Sequence, residues 1–332
     1  MSGTPSAAST DETLRDRYRG TLLGLAVGNA LGLPVESWPR AEIRRRYPKG
    51  VREIDATELK LPWDDDLSQA VMLAEAILEH DTLQHDDLAA RLMKWDESNG
   101  RGMGNQTRAV INALRNGISP SEAARIVWES DGGSPAGNGA VMRCAPVAMR
   151  WKDQGSRLIE ETDHSVRITH HDPRCVWSAY VVNIAIARAL NGRKVTIDEI
   201  AADLELVDVD PHTHHAISSV SGFGLERLRL DGSTMGFTLK TMQVGLWCLE
   251  HASDFEESLV AVIDAGGDTD TNGAVAGAVL GALLGAGAIP ARWTKNVPRA
   301  EHLILLADRL LDRVHPSATS IGGAVKLDGK AP

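Results

Sequence analysis

Two short segments of the chain concentrate carboxylates beside apolar, helix-forming sequence. The first is Trp63-Asp64-Asp65-Asp66, ahead of a helical pattern that begins near Ser68. The macrodipole favours acids at a helix N-terminus, and a cap needs only one of the three, so capping alone would account for this cluster. The second is Ala265-Gly266-Gly267-Asp268-Thr269-Asp270-Thr271-Asn272, and the stretch after it, Gly273 to Ile289, carries no charged residue. Two carboxylates at the mouth of a buried Gly/Ala helix repel each other and lose hydration unless a cation compensates them. Asp-x-Asp-Thr supplies two carboxylates and a hydroxyl within one turn, hard oxygen donors of the kind Mg2+ accepts. Gly266 and Gly267 let the backbone bend sharply and approach a ligand. A third acid, Glu36, ends the segment Gly28-Asn29-Ala30-Leu31-Gly32-Leu33-Pro34-Val35-Glu36. The chemistry expected is a divalent-cation site shared by the two clusters.

The elements that must hold these acids are helical. Apolar residues recur with helical spacing over Leu14 to Leu31, Ser68 to His80, Asp87 to Trp95, Arg108 to Arg115, Ser121 to Trp128, Val176 to Leu190 and Phe255 to Asp264. Val51 to Ile54 and Leu204 to Val209 read as short extended pieces, without the strand-helix repeat of a parallel sheet. The fold class expected is all-α. Gly20, Gly24, Gly28 and Gly32 recur every four residues, as do Gly273, Gly277, Gly281 and Gly285. Each glycine costs a helix roughly 0.8–1.0 kcal/mol relative to alanine, so such stripes call for close backbone packing as compensation. The two striped helices are expected to cross at the centre of the domain; small-residue packing against any other neighbour would leave the same trace, and both readings bury them. If they run antiparallel, the end of the first meets the start of the second, and Glu36 faces Asp268 and Asp270.

The 332 residues are 43% hydrophobic, enough for a substantial core. No linker or low-complexity tract divides them, which predicts one domain over residues 14–315 with a disordered lead (1–13) and a flexible tail (316–332). The lead has neither the basic nor the apolar region of a secretory signal. A net charge of −10 with dispersed Lys and Arg argues against an extended nucleic-acid or membrane surface. The apolar run from Gly273 to Ile289 falls short of the roughly 20 residues a membrane span needs. Cys144, Cys175 and Cys248 stand far apart and form no C-x-x-C, which fits a reducing cytoplasm.

Taken together these segments resemble the ADP-ribosylglycohydrolase family. The match runs from about Tyr18 to Trp293, and its most specific part is Gly-Gly-Asp-Thr-Asp-Thr at 266–271, followed by Ala-Gly-Ala at 276–278 and Ile289-Pro290-x-x-Trp293. Supporting pieces are Gly-x-Ala-Leu-Gly-x-Pro-x-Glu ending at Glu36, Trp-x-Asp-Asp at 63–66, Gly-Asn-Gly-Ala-x-Met-Arg at 137–143, and Thr169-His170 with Pro173. The resemblance implies a compact orthogonal multi-helix bundle with two Mg2+ or Mn2+ ions in a central cleft. It implies hydrolysis of the glycosidic bond at the distal ribose of an ADP-ribosylated protein or a small ribosyl substrate, with ADP-ribose as product; a monomer is expected, though no residue pattern fixes the oligomeric state. Asp64, Asp65, Asp66, Asp268, Asp270 and Thr271 would be metal ligands, with Glu36, Asp65 and Asp66 at the reacting centre. Gly102, Gly104, Asn105, Gly137, Asn138, Gly139, Met142, His170 and Phe237 would line the substrate. Arg143 either neutralises a diphosphate or forms a structural ion pair. His212, His214 and His215 match no motif and read as a solvated loop.

Several positions depart from the family pattern. Thr-Asp-Asp-Thr becomes Asp64-Asp65-Asp66-Leu67, adding a carboxylate, while the Asp of Gly-Asp-Ala-Leu-Gly becomes Asn29, removing one; the two changes are expected to offset each other. An Asp-Ile-Gly segment that places an acid near the scissile bond in many bacterial members is here Gly102-Met103-Gly104. Gly-Tyr before a helix becomes Gly236-Phe237, keeping the ring and losing the hydroxyl. These changes leave two other readings open: hydrolysis of a small N-ribosyl or nucleoside metabolite, and ADP-ribose binding without catalysis.

Overall fold

The computed structural model describes residues 7–314 apart from 56, 58, 59, 194, 195, 205–208 and 223. Among them are sixteen α-helices: α1 (Ala7–Gly32), α2 (Arg40–Arg46), α3 (Asp65–Glu79), α4 (His85–Ser98), α5 (Asn105–Arg115), α6 (Ala123–Ser130), α7 (Ala145–Trp151), α8 (Gly155–Arg167), α9 (Pro173–Leu190), α10 (Ile197–Leu204), α11 (Pro211–Ser218), α12 (Thr238–His251), α13 (Phe255–Ile263), α14 (Thr269–Leu284), α15 (Ala291–Thr294) and α16 (Ala300–Val314). The described strands are two residues each, β1 (Trp38–Pro39) and β2 (Gly266–Gly267), paired antiparallel with Trp38 opposite Gly267. The fold is all-α, as the periodicity predicts.

The glycine stripes explain the centre of the bundle. A β-carbon on Gly24 would lie 2.1 Å from the carbonyl oxygen of Gly277, one on Gly28 1.9 Å from that of Gly273, and one on Gly20 2.5 Å from that of Gly281. Helices α1 and α14 therefore run antiparallel and side by side, backbone against backbone over the whole stripe, rather than crossing at one point. Only glycine permits that approach, and dispersion attraction along the seam offsets its poor helix propensity. Thr269 Oγ1 closes the seam by donating to the Gly32 carbonyl at 2.8 Å. α14 is buried on all sides from Thr269 to Ala282, as suits a helix without a polar face. Helices α9, α12 and α13 pack on its other faces, and α16 packs on α1.

Boundaries differ from the periodic pattern where polar residues extend helices. α1 begins at Ala7, so it includes residues 7–13 of the segment expected as a lead, whereas residues 1–6 and 315–332 lie outside the described set. Val51 to Ile54 is irregular backbone, not a strand. Leu204 ends α10, and residues 205–208 of the second expected extended piece lie outside the described residues. The His212-x-His214-His215 segment is helical, not a loop. Pro211 opens α11, and Asp210 caps it by accepting from the amides of His212 and Thr213 at 3.0 and 3.1 Å.

Candidate active site

The acidic clusters meet where the seam ends. α3 starts at Asp65, three residues earlier than expected, and Asp64 occupies the cap position without capping through its side chain. Its Oδ2 instead accepts from Asn29 Nδ2 of α1 at 2.9 Å. Capping therefore does not explain this cluster. Asp268, which precedes α14, also leaves the helix uncapped and accepts from Asn138 Nδ2 at 2.8 Å. That amide also donates to Thr241 Oγ1 at 3.0 Å, and Thr241 donates to Asn272 Oδ1 at 3.0 Å. The Gly266-Gly267 turn has φ of 76° and 78°, and a β-carbon on Gly267 would stand 2.0 Å from the Leu230 carbonyl oxygen. This tight turn delivers Asp268 to the start of α14, and its ladder with β1 ties down the chain just beyond Glu36.

Two groups of three carboxylates result, Asp64 with Asp65 and Asp66, and Glu36 with Asp268 and Asp270, and within each group one oxygen per residue lies within 4.8 Å of the others. Burial lifts the Asp65 carboxyl to about 7, with Asp64 adding to the effect. Asp66 is raised well above its ordinary range by burial and then by Asp270, and Asp270 by burial and then by Asp268. Glu36, at the exposed edge, is raised by desolvation, Asp268 and Asp64, against an opposing pull from Arg101. Asp66 Oδ1 and Asp270 Oδ1 are buried with no hydrogen-bond partner, and Thr271 Oγ1 reaches Asp66 Oδ2 only at 3.5 Å. Buried carboxylate oxygens in this state call for a cation. A third acidic group, Glu79, His80 and Asp87 on the surface, contrasts with them, because Arg91 Nε already reaches Asp87 at 2.7 Å. The central donors are all oxygens, so the residues present fit a hard divalent metal.

A cavity of about 240 Å3 opens over the clusters. It is lined by the acids Glu36, Asp65, Asp66, Asp268 and Asp270 with Thr271, and by Gly102, Gly104, Asn105, Gly137, Asn138, Gly139, Met142 and His170. Asp64 lies buried behind this lining. Phe237 does not line the cavity; its ring lies under the Arg174 guanidinium at 5.5 Å, and its backbone bridges to Gly137. One face of the ring is thus covered by a cation. Gln106 and Thr107, absent from the expected set, also line the cavity. Their place in the first turn of α5, beside Asn105, was the signal available for them.

Arg143 is structural, but through hydrogen bonds to neutral groups and not through the expected ion pair. It is buried, donates to Gln69 Oε1, to the Ser165 carbonyl at 3.0 Å and to Thr169 Oγ1 at 2.6 Å, and burial lowers it to about 10. It does not line the acidic cavity. His170 is buried too, and burial followed by the charge of Arg143 lowers it to about 3, so the imidazole is neutral.

A family model described as ADP-ribosylglycohydrolase matches residues 10–319. The chain belongs to the ADP-ribosylglycohydrolase family. An uncharacterised protein of Archaeoglobus fulgidus is 30% identical over 315 residues, covering 90% of this chain and 97% of that protein. The ADP-ribosyl-[dinitrogen reductase] glycohydrolase of Rhodospirillum rubrum is 29% identical, covering 86% and 91%, and an ADP-ribosylarginine hydrolase of Pseudomonas putida is 26% identical, covering 92% and 80%. Among solved structures, an ADP-ribosylglycohydrolase-related protein complex superposes with a TM-score of 0.72 at 28% identity, over 91% of this chain and 99% of that one.

Within this ADP-ribosylglycohydrolase framework the departures acquire a physical form. The Asn29 amide donates to the extra carboxylate of Asp64, so the two exchanged positions are in direct contact. At Gly102, φ is 79° and a β-carbon would lie 2.4 Å from Asp65 Oδ1, so a side chain there would be strained and would displace the Asp65 carboxylate. No helix among the described residues is long and apolar enough to cross a membrane.

Proposed function

We propose that this chain is a hydrolase that cleaves the glycosidic bond at the anomeric carbon of the distal ribose in an ADP-ribosylated molecule. We propose further that two Mg2+ or Mn2+ ions assist it, held by Asp64, Asp65, Asp66, Asp268, Asp270 and Thr271. The observation that carries this reading is the pair of three-carboxylate groups beneath one cavity, with buried oxygens on Asp66 and Asp270 that no described residue satisfies. Cations bound there would orient the ribose hydroxyls and acidify water. The surrounding carboxylates favour the positive charge that develops on the sugar as the bond breaks. Glu36, at the open edge, is positioned to exchange a proton with water at the cavity mouth. The relatives named as an ADP-ribosylarginine hydrolase and an ADP-ribosyl-[dinitrogen reductase] glycohydrolase support the same chemistry.

A substrate longer than a ribosyl group is supported by a second hollow of about 450 Å3 that shares Asn105, Gln106 and Gly137 with the acidic cavity and is lined by Val127, Trp128 and Pro135. An aromatic, largely apolar wall beyond the sugar site suits the far end of a nucleotide. This favours ADP-ribose over a bare N-ribosyl metabolite. The test is incubation with Mg2+ or Mn2+ and a panel of arginine-, serine- and nucleic-acid-linked ADP-ribose alongside free nucleosides. Release of ADP-ribose from one member is the expected result, and no release from any would sink the reading. Gly102 favours one other reading, ADP-ribose binding without turnover, since no acid stands there. Tight calorimetric binding of ADP-ribose, together with no measurable turnover in either wild type or Glu36→Ala, would establish that alternative.

A further inference from the structure

Among the side chains that line the acidic cavity, His170 is one whose state is fixed from behind. Its Nδ1 lies 2.8 Å from Thr169 Oγ1, and the same hydroxyl lies 2.6 Å from Arg143 Nη2. A guanidinium can only donate, so Thr169 accepts from Arg143 and keeps one proton to give. Among the described residues the only other partner of that hydroxyl is His170 Nδ1. Were Nδ1 protonated, two donors would converge on Thr169 Oγ1 and its own proton would be buried without an acceptor, which is costly. Arg143 is in turn held by Gln69 and the Ser165 carbonyl, and the Thr169 carbonyl accepts from Gln106 at 3.2 Å. All three members of the chain are buried, and the ring is neutral.

We infer that Arg143 and Thr169 are positioning residues that lock His170 in the tautomer protonated at Nε2, so that it donates a hydrogen bond into the cavity. Among the described residues His170 Nε2 has no hydrogen-bond partner. It faces Gly137 and Gly139, at 3.4 and 3.2 Å from where their β-carbons would stand, and both glycines line the cavity. The ligand group it would meet must be an acceptor, a phosphate or hydroxyl oxygen. A donor without positive charge suits this place: it binds such an oxygen without pairing with the nearby carboxylates and withdrawing from the substrate. The identity of the acceptor rests on the functional reading above, whereas the tautomer does not.

The experiment uses full-length, nitrogen-labelled protein in two measurements. Side-chain nitrogen spectra of His170, assigned by comparison with His170→Gln, are expected to show an unprotonated Nδ1 and a protonated Nε2 without any ligand. A protonated Nδ1 would overturn the inference. Thr169→Val is expected to lose the single tautomer and to bind ADP-ribose about 3- to 10-fold more weakly, with Thr169→Ser restoring both. Should Thr169→Val fail to fold, the wild-type and Thr169→Ser spectra decide. An unchanged His170 spectrum in a folded Thr169→Val protein would also overturn it. If wild type shows the expected spectrum but binds no ADP-ribose, the lock stands and the substrate assignment falls.

Discussion

Asn29 Nδ2 donates to Asp64 Oδ2 at 2.9 Å, joining the glycine-striped helix α1 to the first acidic cluster. Both groups are buried, so the amide is a neutral donor placed where a second carboxylate would add charge to an already crowded site. Asn29→Asp is therefore expected to lower the stability of the chelator-treated protein by about 3 kcal/mol or more, the scale of an uncompensated buried charge. The double variant Asn29→Asp/Asp64→Thr moves the acid across the same contact and should recover most of that loss. Urea unfolding of the four proteins measures the coupling, and simple additivity would refute it.

The seam offers a steric prediction. Gly28→Ala would put a methyl 1.9 Å from a carbonyl oxygen of α14, and Gly277→Ala one at the same distance from Gly24. Backbone cannot yield as a flexible side chain does. Each variant is expected to lose about 3 kcal/mol or more, beyond the ordinary cost of overpacking, and to weaken Mn2+ binding because the clusters separate. Thermal melts with and without Mn2+ would measure both effects; a near-neutral Gly28→Ala would contradict direct backbone packing of α1 on α14.

Removing one buried acid should separate stability from metal binding. Asp270→Asn relieves repulsion, so in chelator its melting temperature should rise above wild type. Its Mn2+ affinity should drop by more than the ~10- to 100-fold that loss of an outer-shell partner produces. Calorimetric titration with Mn2+ reads the affinity directly, and retention of wild-type affinity would remove Asp270 from the ligand set.

The same repulsion sets a pH dependence for the metal-free protein. Asp65 titrates near 7 in the folded state, and Asp66 and Asp270 are also raised, whereas in the unfolded chain such groups titrate near their ordinary value of about 3.9. Between these values the folded state binds more protons, so the stability these groups contribute is greatest at low pH and declines as pH rises through about 7. In chelator the melting temperature should fall from about pH 5 to about pH 8. Mn2+ should remove that fall. A flat profile without metal would mean that the carboxylates are satisfied in some other way.

Glu36 stands at the accessible edge of its group, where a proton can be exchanged with solvent. If the chain hydrolyses ADP-ribosyl bonds, Glu36→Gln should reduce kcat by about 10²- to 10⁴-fold while leaving ADP-ribose affinity within a few-fold of wild type. A variant with full kcat would take Glu36 out of the reaction.

How much of the fold and site was legible in the sequence depended on the range of the interactions involved. The stripes at Gly20 to Gly32 and Gly273 to Gly285 pointed to close backbone packing because glycine is costly in a helix, and the two carboxylates ahead of the uncharged second stripe implied a cation by charge. The fate of Arg143 was not legible: its partners Gln69, Ser165 and Thr169 come from distant segments, and nothing local separates a buried hub from a phosphate ligand. Phe237 misled for a similar reason, since the cation that covers its ring is Arg174, at the start of α9. Capping alone would have accounted for the first cluster because Asp64 sits at a helix start, yet its side chain turns to Asn29, a contact that only the tertiary fold creates.

The contact that closes the seam, Thr269 to Gly32, spans 237 residues of sequence. Such high contact order makes the central pairing a late, slow event, because the chain must bring its two ends together before the glycines reward it. During synthesis α1 waits with its glycine face uncovered until α14 leaves the ribosome, at roughly 5–20 residues per second. Glu36, Asp64, Asp65 and Asp66 exist long before Asp268 and Asp270, so a growing chain lacks the last two of its six clustered carboxylates. If the site takes cations as proposed, their loading waits for these two acids, and a purified chain truncated before Asp268 should retain far less Mn2+ than the full protein.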